Sequence, residues 1–254
     1  MKSLSKAQIK WIRSLHTKKG RAASACFMVE GHKAVAEALA SGVPLKLIAG
    51  SEEILATMGP EQPFFHTATS DQLATVSALS TPPGIVAVAE IPQTDFSPEM
   101  IRGRTAFICD GIRDPGNLGT LVRTADWFGH PCMICSPDCA DLFNPKTVQS
   151  TMGSVFRVPV FYMDLQPLMK LFRESHSPIW ATTLDGDNLF DRQDIAPGLI
   201  LLGSESHGLK PELAKEATGS LRIPGGTRGT ESLNVAMAGS ILAAEFHRLT
   251  RNRK

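Results

Sequence analysis

Apolar residues recur in two rhythms along this chain. Over residues 26–90, short apolar runs alternate with helical spacing: CFMVE, HKAVAEALA ending at Gly42, LKLIAG, PFFHT, the polar-capped SDQLATVSAL, and GIVAVAE. That pattern predicts a small α/β unit. From Thr105 onward the strand candidates are TAFICD, CMIC, VPVF, IWATT, LILLG and SLRIP, with helical segments between them. Strands alternating with helices predict a mostly parallel sheet covered on both faces. Between the two regions lies IPQTDFSPEMIRGR, with two prolines, mixed charge and little periodicity. The chain therefore reads as a first domain at 1–91, a linker at 92–104 and a second domain at 105–254.

In parallel sheets, ligands bind beyond the carboxyl ends of the strands, where the strand-to-helix loops converge. Those loops are rich in Gly and polar residues: GIRDPGNLGTLVRTADWFG after TAFICD, LDGDN after IWATT, SESHGL after LILLG, and GGTRGTESLN after SLRIP. Such composition lets the backbone approach a ligand closely.

Asn117 stands where a helix should begin, followed by Leu118, Leu121, Val122, Ala125 and Phe128 at helical spacing. It reads either as a helix cap or as a site residue. Arg123 lies off that stripe, either solvated or projecting toward the sheet's carboxyl edge. Glu205, between Gly203 and Gly208, reads either as a cap for the next helix or as a ligand. Ser232 and Asn234 precede a helix with the buried stripe Val235, Ala238, Leu242, Phe246 and Leu249. Capping accounts for one of those two polar residues, but not for both together with Gly225, Gly226, Thr227, Arg228 and Gly229 before them.

Composition adds limits. With 26 Lys plus Arg against 25 Asp plus Glu, the whole chain is not drawn wholesale to polyanions. That even total hides a local imbalance: Lys2, Lys6, Lys10, Arg13, Lys18, Lys19 and Arg21 all precede the first acid, Glu30. Ile9, Ile12 and Leu15 recur at three-residue steps opposite Lys6, Lys10 and Arg13, which predicts an amphipathic helix with a basic face. That face reads as a solvated surface or as a phosphate-contacting arm. No run approaches the roughly 18 apolar residues of a membrane span. An odd count of five Cys without a secretory leader indicates reduced thiols and a cytoplasmic protein.

G-x-G-x-x-G, the P-loop and G-x-S-x-G are all absent, which argues against a standard dinucleotide site, a nucleoside triphosphatase and an α/β-hydrolase. His130, Cys132, Cys135 and Cys139 form a local set of potential metal ligands. CMIC reads as a strand, however, and its i and i+3 side chains point to opposite faces, so buried free thiols are expected and no metal is.

Taken together, N-L-G-x-x-x-R-T-A (117–125), G-S-E-x-x-G-L (203–209) and I-P-x-x-x-x-x-x-x-S-L-N-V-A (223–236) resemble the three ordered motifs of the SpoU (TrmH-like) RNA 2′-O-ribose methyltransferases. The first domain, from IKWIRSL through FMVEG to PPGIVAVA, resembles that family's substrate-binding module. The resemblance implies an α/β fold of the SPOUT type, with a deep trefoil knot at the carboxyl end of the second domain's sheet. It also implies S-adenosylmethionine as methyl donor and a homodimer.

By position it implies a catalytic set of Asn117, Arg123, Glu205, Ser232 and Asn234. Methyl-donor contacts would come from Thr183, Leu184, Gly203, Gly208, Ile223, Ser232 and Leu233. RNA contacts would come from Lys6, Lys10, Arg13, Lys18, Lys19 and Arg21. Two positions depart from the pattern: Ala236 stands where serine is common and Ser206 where glycine is common. The family suggests Arg123 as the base, yet a guanidinium is always protonated in proteins, so it reads equally as a ligand for the neighbouring phosphate. The implied substrate is a structured RNA, ribosomal RNA first and transfer RNA second. A non-catalytic RNA-binding ribosome-assembly protein and a nicotinamide oxidoreductase are the competing classes.

Overall fold

The computed structural model describes residues 1–226 and 232–251; Thr227, Arg228 and Gly229 of the last loop lie outside them. The chain divides into two compact units, one of Met1–Thr94 with Asp141–Arg157, the other of Asp95–Ala140 with Val158–Lys254.

The first unit runs β1 (Lys2–Ser3), α1 (Lys6–Ser14), α2 (Lys18–Ser24), β2 (Cys26–Glu30), α3 (His32–Ser41), β3 (Leu45–Gly50), α4 (Glu52–Ala56), β4 (Phe65–Thr67), α5 (Ser70–Val76) and β5 (Ile85–Glu90). Its five strands form a mixed sheet in the order β1-β4-β3-β5-β2. Helix starts follow local chemistry. Ser5 and Gln8 close a capping box on α1, Thr69 and Gln72 another on α5, and Thr17 accepts the Gly20 amide at 3.1 Å to start α2.

Because strand side chains alternate, Cys26, Met28, Leu47, Ala49, Val86 and Val88 pack with Ile12, Leu15, Leu73 and Val76 from α1, the turn after it and α5. On the opposite face Phe27 meets Phe143 and Phe156, with ring centroids 4.7 and 6.1 Å away. Both partners belong to Asp141–Arg157, a segment that returns to this unit from well beyond the linker.

Arg21 corrects the sequence reading. It is only 3% exposed, donating to the Leu15 carbonyl at 2.8 Å and to an Asp141 carboxylate oxygen at 2.6 Å. A guanidinium committed in this way inside a core is a structural tie and no phosphate ligand. Removing one partner of a buried pair leaves the other uncompensated, so Arg21→Ala is expected to cost about 3–5 kcal/mol. Urea unfolding checks this, and an unchanged midpoint would refute it. Lys6, Lys10, Arg13, Lys18 and Lys19 are all exposed.

The second unit runs β6 (Ala106–Cys109), α6 (Pro115–Trp127), β7 (Met133–Cys135), then, after the excursion that carries α7 (Pro145–Thr151), β8 (Val160–Tyr162), α8 (Leu165–Glu174), β9 (Ile179–Asn188), β10 (Leu199–Leu202), α9 (Pro211–Ala214), β11 (Gly219–Arg222) and α10 (Val235–Arg251). All six strands are parallel, in the order β11-β9-β10-β6-β7-β8. Ala106, Ile108, Ile134, Ile179, Leu199 and Leu201 face Leu165, Leu168, Met169 and Phe172 of α8.

The alternate residues lie under α6 and α10. A Cβ on Gly239 of α10 would lie 2.4 Å from Leu121 and 3.2 Å from Leu202, which shows how closely that helix approaches helix and sheet. Among the described residues no helix is long and apolar enough to cross a membrane. The five cysteines form no disulfide.

Residues LDGDN, read as a loop, are instead the second half of β9. Ala181 pairs with Ser220 and Asp187 with Leu221, so residues 182–186 bulge from the ladder between adjacent residues of β11.

Candidate active site

β6 has β10 on one side and β7 on the other, so the chain runs outward in one direction through β7 and β8 and returns on the other side. The crevice between the carboxyl ends of β6 and β10 is therefore the switch point where such sheets bind ligands.

Three loops meet there. Asp114, rather than Asn117, caps α6: its carboxylate accepts the Asn117 amide at 2.8 Å, and Pro115 takes the first helical position. The Asn117 side chain is thereby free to reach out. Its Nδ2 donates to Glu205 Oε1 at 2.6 Å, and its Oδ1 accepts from Asn234 Nδ2 at 3.0 Å. The Asn234 Oδ1 accepts the Ala236 and Met237 amides at 2.9 and 3.3 Å, so Asn234 caps α10 while it holds Asn117. Glu205 caps no helix, since Lys210 stands before α9.

This chain of hydrogen bonds joins the loops after β6, β10 and β11, across separations of 88 and 117 residues. It fixes the amide orientation of Asn117 and commits both asparagines to bracing. Arg123 and Ser232 are exposed and, among the described residues, neither joins the brace.

The β10 loop is a tight turn. Ser204 and Gly208 exchange backbone bonds of 3.0 and 2.9 Å, and a Cβ on Gly203 would fall 2.2 Å from the backbone of Gly208 and Leu209. Gly208 has φ +68°, the left-handed region that favours glycine. Asp110, buried at the end of β6, accepts the Lys210 amide at 2.9 Å and pairs with the Lys210 ammonium at 2.9 Å. It ties the far end of the Glu205 turn to the start of the Asn117 loop. Hydrogen bonding to Asp110 pushes the Lys210 pKa upward, and the Ser136 hydroxyl holds Asp138 beside it below the usual carboxylate range.

The Ser136 hydroxyl also accepts the Gly111 amide at 2.9 Å. Asp110 and Lys210 escaped the sequence reading, although an acid directly after a buried apolar run is a signal, because such a carboxylate needs a partner.

Thr183 lies in the β9 bulge with its hydroxyl oxygen buried and, among the described residues, without a hydrogen-bond partner, while Leu184 and Leu233 are exposed. An orphaned buried hydroxyl, a glycine turn packed backbone to backbone and exposed apolar side chains make a donor set suited to an adenosyl group: polar contacts for its edge, apolar cover for its ring.

Residues 104–244 match the SpoU rRNA Methylase family, and residues 6–87 match the MRM3-like substrate binding domain. The chain is 30% identical over 244 residues to the 23S rRNA (guanosine(2553)-2′-O)-methyltransferase RlmP of Bacillus subtilis, covering 95% of this chain and 96% of that protein. The fold is similar to a putative RNA methyltransferase of the TrmH family from Porphyromonas gingivalis, with a TM-score of 0.85, 34% identity and coverage of 96% and 98% of the two chains. It is also similar to an AdoMet-bound rRNA methyltransferase from Sinorhizobium meliloti, with a TM-score of 0.81, 32% identity and coverage of 98% and 97%.

Proposed function

The chain belongs to the SpoU rRNA methylase family, and from that premise we propose that it methylates a ribose 2′-hydroxyl of ribosomal RNA in the cytoplasm with S-adenosylmethionine. One observation carries the reading: the Glu205–Asn117–Asn234 brace, which brings three distant loops to the switch point of the sheet.

When bound, S-adenosylmethionine supplies an electrophilic sulfonium methyl. Thr183, Leu184, Gly203, Gly208, Ile223 and Leu233 would hold it. Ser232 hydrogen-bonds near the acceptor. Arg123 binds the phosphate beside the acceptor ribose, and its positive charge favours loss of the hydroxyl proton to that phosphate or to water as the new bond forms. Its own protons stay in place. The brace keeps these groups at fixed separations, and positioning of that kind supplies up to about 7–11 kcal/mol in the best oriented cases. On this reading the deep trefoil knot of the family lies at the same carboxyl edge.

The test is purified protein with S-adenosylmethionine bearing a labelled methyl group and either ribosomal RNA or ribosomal subunits, followed by mass spectrometry of the nucleosides. The expected product is one 2′-O-methylated nucleotide at a single site. Label on a base, or no label with either substrate at saturating donor, would overturn the proposal and favour a non-catalytic binding protein.

Residues 1–91 hold the RNA, with Lys6, Lys10, Arg13, Lys18 and Lys19 as its phosphate contacts. Each lost contact lowers the salt slope of binding by about 0.7–0.9. Replacing all five with glutamine is therefore expected to reduce the slope by about 3.5–4.5, measured by filter binding across a salt series. An unchanged slope would exclude the arm.

A second copy of the chain covers Trp127 (83% exposed), Leu233 (52%) and Met237 (54%), which stand on or beside α6 and α10. Apolar exposure of this size favours a self-complementary contact. Light scattering should give a dimer mass, and Trp127→Glu with Met237→Glu a monomer. A monomeric wild type at tens of micromolar would refute this.

A further inference from the structure

At the opposite edge of the parallel sheet from the brace, the second unit has another cavity, of about 270 Å³. We propose that it binds a nucleotide, taking the phosphate at Arg104 and His247 and the base against Phe128. Its lining comes from residues that precede strands: Arg104 before β6, His130 before β7, Pro197 before β10. A four-residue strand rises about 13 Å, so this cavity is separate from the methyl-transfer loops.

α6 and α10 run side by side in parallel, joined by Asn117 to Asn234 at their starts and Thr124 to Ser240 at 2.9 Å midway. Their far ends bring Phe128 and His247 together, ring centroids 5.5 Å apart.

Three observations point to a ligand. First, His130 is 7% exposed, yet among the described residues its Nδ1 has no hydrogen-bond partner, and its ring is held edge-on against Phe107 at 4.7 Å. Buried polar atoms are nearly always paired, so this nitrogen, on a residue that lines the cavity, is available to a ligand. Burial, and then the nearby His247, push its pKa down to about 4, so at neutral pH the ring is uncharged and accepts or donates at Nδ1 according to its tautomer.

Second, among the described residues the lining contains Arg104 and His247 but no acid, and neither of those two forms an ion pair. The site therefore favours an anion, and an arginine fork matches phosphate geometry. Third, Gly103 and Gly129 both line the cavity, and a Cβ on either would meet nothing within 4 Å, so a ligand has open approach to the backbone there. The half-buried Phe128, packed against the exposed His247, offers a stacking surface for a base.

A free nucleotide and a nucleotide within an RNA strand present the same chemistry. The test titrates histidine-labelled protein with adenosine 5′-monophosphate and, separately, with a short oligoadenylate, following the ring resonances of His130 and His247. Both resonances are expected to shift saturably, and Arg104→Ala, on an exposed side chain that cannot disturb the core, to weaken binding about tenfold or more. Tighter binding of the oligonucleotide assigns the site to an RNA strand; tighter binding of the mononucleotide assigns it to a free ligand.

The idea fails if neither probe moves these resonances at millimolar concentration, or if Arg104→Ala leaves the affinity unchanged. Affinity for S-adenosylmethionine, measured in parallel, should be the same in both proteins. The outcome does not depend on turnover: nucleotide binding here by a chain that methylates nothing would leave this site standing and remove only the methyl-transfer reading.

Discussion

Arg123→Ala is expected to lower the single-turnover rate of methyl transfer by about 10²–10⁴ at saturating donor and RNA, the range for loss of a group that stabilises charge or moves a proton in the transition state. The fold should not register the change. The side chain is exposed on α6 between the buried Val122 and Ala125, so the urea midpoint and donor affinity should match wild type. Arg123→Lys should recover little of the loss, because a point charge does not reproduce a planar fork around phosphate oxygens. A wild-type rate in the alanine variant would remove Arg123 from the reaction.

Gly203→Ala should abolish donor binding by a different route. The added methyl would lie 2.2 Å from both the Gly208 carbonyl carbon and the Leu209 nitrogen, and 2.5 Å from the Gly208 oxygen. Backbone atoms have no rotamer to change. The turn must open, the Ser204–Gly208 bonds break, and Glu205 moves away from Asn117. We expect donor affinity to fall at least about a hundredfold and stability to fall by about 1–3 kcal/mol, the usual range for overpacking. Calorimetric titration and thermal unfolding measure both. Gly208→Ala provides the contrast: nothing lies within 4 Å of its Cβ position, so only its φ of +68° is strained, at about 1–3 kcal/mol. Normal donor affinity in Gly203→Ala would show that the turn does not shape the donor site.

These two positions illustrate what a linear sequence exposes. Strand and helix types were legible because the apolar period changes between two and 3.6 residues. The polar residues Asn117, Glu205 and Asn234 stood out because they follow apolar strands. Their mutual bonds were not legible, since they depend on β10 lying beside β6, a spatial order without local signature. Asp114 displaced Asn117 as the helix cap because Pro115, with no amide hydrogen, is well suited to the first helical position.

Arg21 could not be told from Lys18 and Lys19. Its partner Asp141 is 120 residues away, and only tertiary contact separates a buried guanidinium from a solvated one. The second half of β9 was hidden for a related reason: LDGDN carries turn-forming residues, and only its pairing with β11 beyond the bulge makes it strand.

The return of Asp141–Arg157 to the first unit has a consequence for biosynthesis. At about 5–20 residues per second, several seconds separate the emergence of Thr94 from that of Arg157. Until Asp141 and Phe143 emerge, the nascent first unit has Phe27 uncovered and Arg21 without its acid. Its folding therefore cannot be strictly vectorial: the first unit is completed only after part of the second has been made.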